Sequence, residues 1–177
     1  MGGTGTLKAV FFDRDGTLVV DVPYNGDPAL VQPVDAAQPA LDRVRSSGLA
    51  TGVLSNQSGV ARGMLTLEQV RAVNDRIDAL LGPFDVWEVC PHGPDEGCKC
   101  RKPSPGMILN ACKRLGIQPS EAALIGDIGA DIEAATAAGS PAVLVPTAQT
   151  RAEEVSAARV VARDLEHAVA LLLESRE

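Results

Sequence analysis

Two carboxylates stand one residue apart where an apolar run ends. Leu7 to Phe12, broken only by Lys8, leads into Asp13-Arg14-Asp15-Gly16-Thr17. Such a run reads as a strand buried on both faces. In an open parallel sheet, ligands bind outside the carboxyl ends of the strands. Extended chain would put Asp13 and Asp15 on the same side, within reach of one metal ion or one reacting group. Alone, the pair is also an ordinary strand-end turn, where Asp and Gly are common. A second apolar run, Ala122 to Ile125, ends in Gly126-Asp127 and brings Asp131 four residues later. Carboxylates crowded at one edge repel unless a cation joins them. A hard, oxygen-preferring ion such as Mg²⁺ suits such a set. Asp131 serves equally well as an acidic helix start, favoured by the helix dipole.

Other segments supply what binds an anion. Ser55-Asn56-Gln57-Ser58-Gly59 offers a hydroxyl, an amide and backbone N–H groups, which suit phosphate oxygens. Taken singly it is also an ordinary loop. Arg101-Lys102-Pro103 supplies positive charge: Lys102 as a point charge, Arg101 as a fork. Just upstream lies the most specific local signal, Cys90-Pro91-His92 followed by Cys98-Lys99-Cys100, which takes up three of the four cysteines. Three thiolates and an imidazole make a closed tetrahedral set for a structural Zn²⁺, with no open position for water. Disulfides fit this spacing and composition less well. Cys112, inside a helical pattern, reads as a small core residue.

The elements that must position these residues alternate. Strands are expected at Leu7 to Phe12, Leu49 to Leu54, Asp85 to Val89, Ala122 to Ile125 and Ala142 to Val145. Helices are expected over about 35–47, from the capping box Thr66-x-x-Gln69 to Gly82-Pro83, and over 105–115, 130–138 and 164–174. Met107, Ile108, Ala111 and Leu115 should be the buried face of the third. Strands alternating with helices imply right-handed crossovers and an α/β fold: a Rossmann-like, three-layer parallel sheet with helices on both faces. The chain has 177 residues and 45% hydrophobic content, enough for one domain, expected over 1–177 with a zinc loop at 90–100. A net charge of −7 and no basic stripe argue against nucleic acid. No apolar segment reaches the roughly 18 residues needed to span a bilayer. Met1-Gly2-Gly3-Thr4-Gly5 lacks the apolar core of a signal peptide. A cytoplasmic protein with no membrane partner is therefore expected; a monomer is also expected, although no residue pattern in the sequence bears on the oligomeric state.

On these residues the chain resembles the haloacid dehalogenase-like (HAD) phosphohydrolases over essentially its whole length. Asp13-x-Asp15-Gly16-Thr17, Ser55, Lys102 and Gly126-Asp127 with Asp131 match that superfamily's four motifs in order. The Cys/His loop, Ser55 to Gly59, Ala61-Arg62-Gly63, Cys100-Arg101-Lys102-Pro103 and Pro105-Gly106-Met107 are similar to one branch. That branch holds D-glycero-D-manno-heptose-1,7-bisphosphate 7-phosphatases and histidinol-phosphate phosphatases, and Pro105-Gly106-Met107 favours the heptose enzymes. One departure is Ile128, where heptose members usually carry Lys.

The resemblance implies a Mg²⁺-dependent phosphatase without a large cap domain, acting on a small phosphorylated metabolite, a sugar bisphosphate. The expected reaction removes the C7 phosphate of D-glycero-D-manno-heptose 1,7-bisphosphate. Histidinol-phosphate hydrolysis and an open-site protein phosphatase remain the alternatives. In the implied roles Asp13 is the nucleophile and Asp15 the acid and base. Mg²⁺ is held by Asp13, Asp127 and the main-chain carbonyl of Asp15, with Asp131 behind. Ser55 and Lys102 hold phosphate, while Asp21, Tyr24, Asn56, Gln57, Ser58 and Arg101 contact substrate.

Overall fold

A computed structural model describes residues 6–175. The Met1 to Gly5 segment, read above as unlike a signal peptide, lies outside the described residues. Five strands form one parallel sheet: β1 (Ala9–Phe12), β2 (Ala50–Asn56), β3 (Val86–Cys90), β4 (Ala122–Gly126) and β5 (Ala142–Leu144). Their order is β3-β2-β1-β4-β5, so the first strand is central and the chain winds outward in both directions. Parallel neighbours need crossovers, supplied by helices α1 (Ala37–Ser46), α2 (Leu67–Leu81), α3 (Gly106–Leu115) and α4 (Gly129–Ala138). A short helix α5 (Ala152–Ala157) and a last helix α6 (Leu165–Glu174) complete the chain.

The sheet is covered on both faces because successive residues of a strand point to opposite sides. In β1, Val10 and Phe12 face a core with Leu41, Val44, Val73, Ile77, Leu165 and Leu172, drawn from α1, α2 and α6. Ala9 and Phe11 face the other core, with Met107, Ile108, Ala111, Ala134 and Ala135 from α3 and α4. The buried face expected for α3 is present except that Leu115 is only half-buried. All four residues of β1 are buried, which a strand at the centre of a three-layer sheet requires.

The helix starts follow local chemistry. At α2 the Thr66 hydroxyl accepts the N–H of Gln69 at 3.1 Å, and the Gln69 amide oxygen accepts the N–H of Thr66 at 2.9 Å. That reciprocal pair satisfies two donors the first turn would otherwise leave open. Asp164 caps α6 by accepting the N–H of His167 at 2.7 Å. Helix α1 begins at Ala37, later than the sequence pattern suggests, with Ala36 at its cap and no side-chain bond there. Helix α5 has no counterpart in the sequence reading; it is short and buries none of its residues, so no apolar stripe announces it.

Gly52 shows how tightly the second core is built. It pairs with Phe11 on one side and Val86 on the other. A Cβ there would lie 2.5 Å from Val86 Cγ1 and 2.8 Å from Phe11 Cδ1. Both neighbours are fully enclosed and have nowhere to move. Gly52→Ala should therefore cost about 1–3 kcal/mol by overpacking, seen as a lower urea midpoint with an unchanged slope. An unchanged midpoint would mean that this core is looser than its contacts indicate.

Candidate active site

The site lies at the carboxyl edge of the sheet, where β1, β2 and β4 end side by side. Asp13 follows β1, and its N–H donates to the Ile125 carbonyl at 2.9 Å, continuing the ladder past the strand. The chain then turns at once: Gly16 donates its N–H to Val19 at 2.8 Å and Leu18 donates to Arg14 at 3.0 Å. Gly16 has φ +81, and a Cβ on it would lie 2.4 Å from Asp127 Oδ2, so turn and neighbour together demand glycine. Asp127 follows β4, held by the Thr17 hydroxyl, which donates to its Oδ1 at 3.4 Å. The Thr150 hydroxyl donates to the Asp127 main-chain carbonyl at 2.6 Å.

Asp13, Asp127 and Asp131 each bring one carboxylate oxygen within 4.8 Å of the others, and all three residues are buried. Lys102 answers that charge. Its ammonium donates to Asp13 Oδ1 at 2.7 Å, Asp131 Oδ1 at 2.6 Å and the Leu54 carbonyl at 2.8 Å, with 4% of the residue exposed. One ammonium does not balance three buried carboxylates. Burial pushes the Asp13 carboxyl well above its usual range; Lys102 opposes this, while Asp131 and Asp127 add to it. Asp127 is raised to about 6, by burial first and then by Asp131. Burial works against the charge of Lys102, but the carboxylates of Asp13 and Asp131 hold its pKa above the usual value. The set is short of positive charge and offers oxygen donors only, which is the chemistry a hard divalent cation takes up.

Asp15 stands apart from this cluster. Its carboxylate accepts from Arg14 and from the Gln57 amide, whose Nε2 donates to Asp15 Oδ2 at 2.9 Å and to Ser55 Oγ at 2.8 Å. A cavity of about 350 Å³ opens over the edge. Asp13, Asp15, Asp21, Tyr24, Asn56, Gln57, Ser58, Lys102 and Asp127 line it, and most of the residues singled out from sequence meet there. Ile128 and Gln149 also line it; Gln149 lies beyond β5 and carries no motif to mark it.

Three residues differ in detail from the roles expected of them. Ser55 is 1% exposed and does not line the cavity; its hydroxyl faces Gln57. Asn56 trades hydrogen bonds with the backbone of Lys102, donating to its carbonyl and accepting its N–H at 3.1 Å each, and so fixes where the lysine leaves the chain. Arg101 does not line the cavity either: its guanidinium donates to the His92 carbonyl at 3.4 Å.

The Cys/His loop precedes Arg101 directly. Cys90 Sγ lies 3.0 Å from Cys100 Sγ, 3.7 Å from Cys98 Sγ and 3.4 Å from His92 Nδ1. His92 Nδ1 is 3.2 Å from Cys100 Sγ, and no disulfide joins these cysteines. Four soft donors thus converge from a single loop. The Arg101 N–H donates to Cys98 and lowers its pKa to about 7, favouring thiolate. Cys112 is buried in the second core, as expected of a small packing residue.

Comparison with known proteins agrees with this edge. Residues 99–168 match the HAD-hydrolase-like family model, which includes Lys102, Asp127 and Asp131. The D-glycero-beta-D-manno-heptose-1,7-bisphosphate 7-phosphatase of Yersinia pestis is 37% identical over 167 residues, 88% of this chain and 89% of that protein. The chain belongs to the HAD-like phosphohydrolases. The Pseudomonas putida protein of the same name is 35% identical over 150 residues, covering 80% of this chain and 83% of its own. A crystal structure of the D,D-heptose 1,7-bisphosphate phosphatase of B. bronchiseptica, complexed with magnesium and phosphate, superposes with a TM-score of 0.84. It is 28% identical, and the match covers 96% of this chain and 99% of that one. Among the described residues, no helix is long and apolar enough to cross a membrane.

The ion pairs of Lys102 set a clear expectation. Lys102→Met removes the ammonium that pairs with Asp13 and Asp131 and should destabilise the protein by about 3–5 kcal/mol, the usual cost of orphaning buried partners. Millimolar Mg²⁺ should raise the melting temperature of this variant more than that of the unmodified protein, because the ion then supplies the missing charge. Equal shifts in both would show that the carboxylates do not meet at one cation site.

Proposed function

We propose that the protein is a phosphatase that releases the C7 phosphate of D-glycero-β-D-manno-heptose 1,7-bisphosphate through a phosphate ester on Asp13. The carrying observation is the buried cluster of Asp13, Asp127 and Asp131 around Lys102, opening into a cavity that Asp15 also lines. The names of the relatives support the substrate and its β anomer, and the neighbour complexed with magnesium supports the metal. In this reading Asp13, Asp127 and the Asp15 carbonyl would hold Mg²⁺, with Asp131 supporting them. When bound, the ion would neutralise charge between nucleophile and phosphate.

The residues divide the work. A carboxylate oxygen of Asp13 attacks phosphorus as the sugar oxygen leaves, and Asp15 protonates that oxygen. Asp15 then takes a proton from the water that cleaves the acyl phosphate, returning Asp13. Lys102 stabilises the charge that builds on the phosphate oxygens. The backbone of Ser58 and the side chains of Asp21 and Tyr24 contact the sugar. Ser55 acts through Gln57, and Arg101 would have to leave the His92 carbonyl to reach a second phosphate. The protein works as a cytoplasmic monomer.

The same reading gives Cys90, His92, Cys98 and Cys100 a structural Zn²⁺. Four donors within 4.8 Å, and the absence of a disulfide among them, support it. The ion would tie the loop that leads into Arg101 and Lys102, and so steady the ammonium of the site.

Three measurements test these assignments. With p-nitrophenyl phosphate, whose leaving group needs no proton, Asp15→Asn should release one equivalent of p-nitrophenol and stall, while Asp13→Asn should release none. A burst from Asp13→Asn would reverse the roles. Heptose 1,7-bisphosphate should give a higher kcat/KM than histidinol phosphate; the opposite order would make the second compound the substrate. Elemental analysis should find one zinc per chain in the purified protein, and Cys98→Ser should lose both metal and activity. A metal-free protein of full activity would remove the zinc site.

A further inference from the structure

Arg14 is the largest side chain enclosed in the protein among the described residues, with 1% exposed, and the reaction outlined above gives it no part. Burying a guanidinium is costly unless its N–H groups find partners. Its Nε lies 3.1 Å from both carboxylate oxygens of Asp15, and Nη2 lies 3.0 Å from Oδ2. Nη1 donates to Asn74 Oδ1 at 2.8 Å. Asn74 lies on the buried side of α2, itself 8% exposed. A fork on a carboxylate with a fixed partner at its other end is a brace, and an apolar side chain would fill the same space without the desolvation cost.

A second brace meets the first. Gln57 approaches Asp15 Oδ2 from the end of β2. Among the described residues, Oδ2 therefore accepts from Arg14 and Gln57, while Oδ1 accepts only the shared Nε–H of Arg14. The Asp15 side chain stays 26% exposed and lines the cavity, so Oδ1 keeps a lone pair for the proton in transit. An acid that becomes a base must serve two partners in turn at one position. A carboxylate free to rotate would serve each only part of the time.

We infer that Arg14, anchored by Asn74, is a positioning residue that aims Oδ1 of Asp15 at the leaving oxygen and then at the attacking water, with Gln57 as the opposing brace. The inference rests on the phosphatase reading and adds the residues that orient its proton transfer. Among the described residues, the Arg14 side chain bonds Asp15 and Asn74 and no carboxylate of the cluster, so the effect of both residues should fall on proton transfer and leave metal binding alone.

The test compares Arg14→Lys, which keeps the charge and loses the fork, with Asn74→Ala, which loosens the anchor and is less disturbing to the fold. On an alkyl phosphate, whose leaving oxygen needs a proton, each should lower kcat roughly tenfold to 10²-fold with KM unchanged. On p-nitrophenyl phosphate each should release one equivalent of p-nitrophenol at the unmodified rate and then turn over slowly. The Mg²⁺ concentration for half-maximal activity should not move. Equal slowing of the burst and of steady turnover would overturn the inference, as would a smaller burst with unchanged rate per active molecule, because either result marks a purely structural role. A shifted Mg²⁺ requirement would overturn it as well. If the unmodified protein forms no phosphoenzyme on Asp13, the phosphatase reading itself fails and the inference falls with it, a result distinct from the others.

Discussion

The ammonium of Lys102 is the interaction on which the site depends. It sits 4% exposed between Asp13 and Asp131, with the Leu54 carbonyl completing its hydrogen bonds. Without it, three buried carboxyls would face one another in a low-dielectric edge and would protonate or push apart. With it, they remain together, and burial first, then the neighbouring carboxylates, keep Asp127 at about 6 and Asp13 raised against the pull of Lys102. The site is therefore held in a state that favours the arrival of positive charge.

That arrangement needs three separate pieces of scaffold. The order β3-β2-β1-β4-β5 puts the ends of β1 and β4 next to each other, so that Asp13 and Asp127 meet although they are far apart in sequence. The bonds between Asn56 and the backbone of Lys102 fix the root of the lysine to the end of β2. The glycine at 16 removes the one atom that would collide with Asp127. Each is a constraint on backbone, and each leaves the side chains free to do chemistry.

Tertiary contact also divides the two aspartates of the first motif. Asp13 joins the cluster with Lys102; Asp15 turns away to Arg14 and Gln57. Nearby positions in one loop thereby gain different surroundings, one among buried carboxylates around an ammonium, the other braced by donors. Arg14 points inward between them because Asn74 of α2 receives its Nη1. The same helix that covers the sheet thus also reaches the site.

The sequence by itself determined the strands, the helix faces and the residues at the carboxyl edge. Apolar runs, capping chemistry and Asp-x-Asp-Gly-Thr are local signals, set by period and by the few residue types that tolerate such turns. It also marked Cys90, His92, Cys98 and Cys100, because soft donor atoms gathered on one loop declare themselves by spacing. What it left open are contacts between distant elements. Nothing near Asn74 announces a partner at Arg14, and the Ser55 hydroxyl looks free for phosphate until Gln57 is found against it. Arg101 reads as a fork for an anion, yet lies on the His92 carbonyl. Helix α5 is too short and too exposed to leave a periodic trace. Only the tertiary structure decides such pairings, because a hydrogen bond depends on distance and direction between side chains that the order of residues along the chain does not specify.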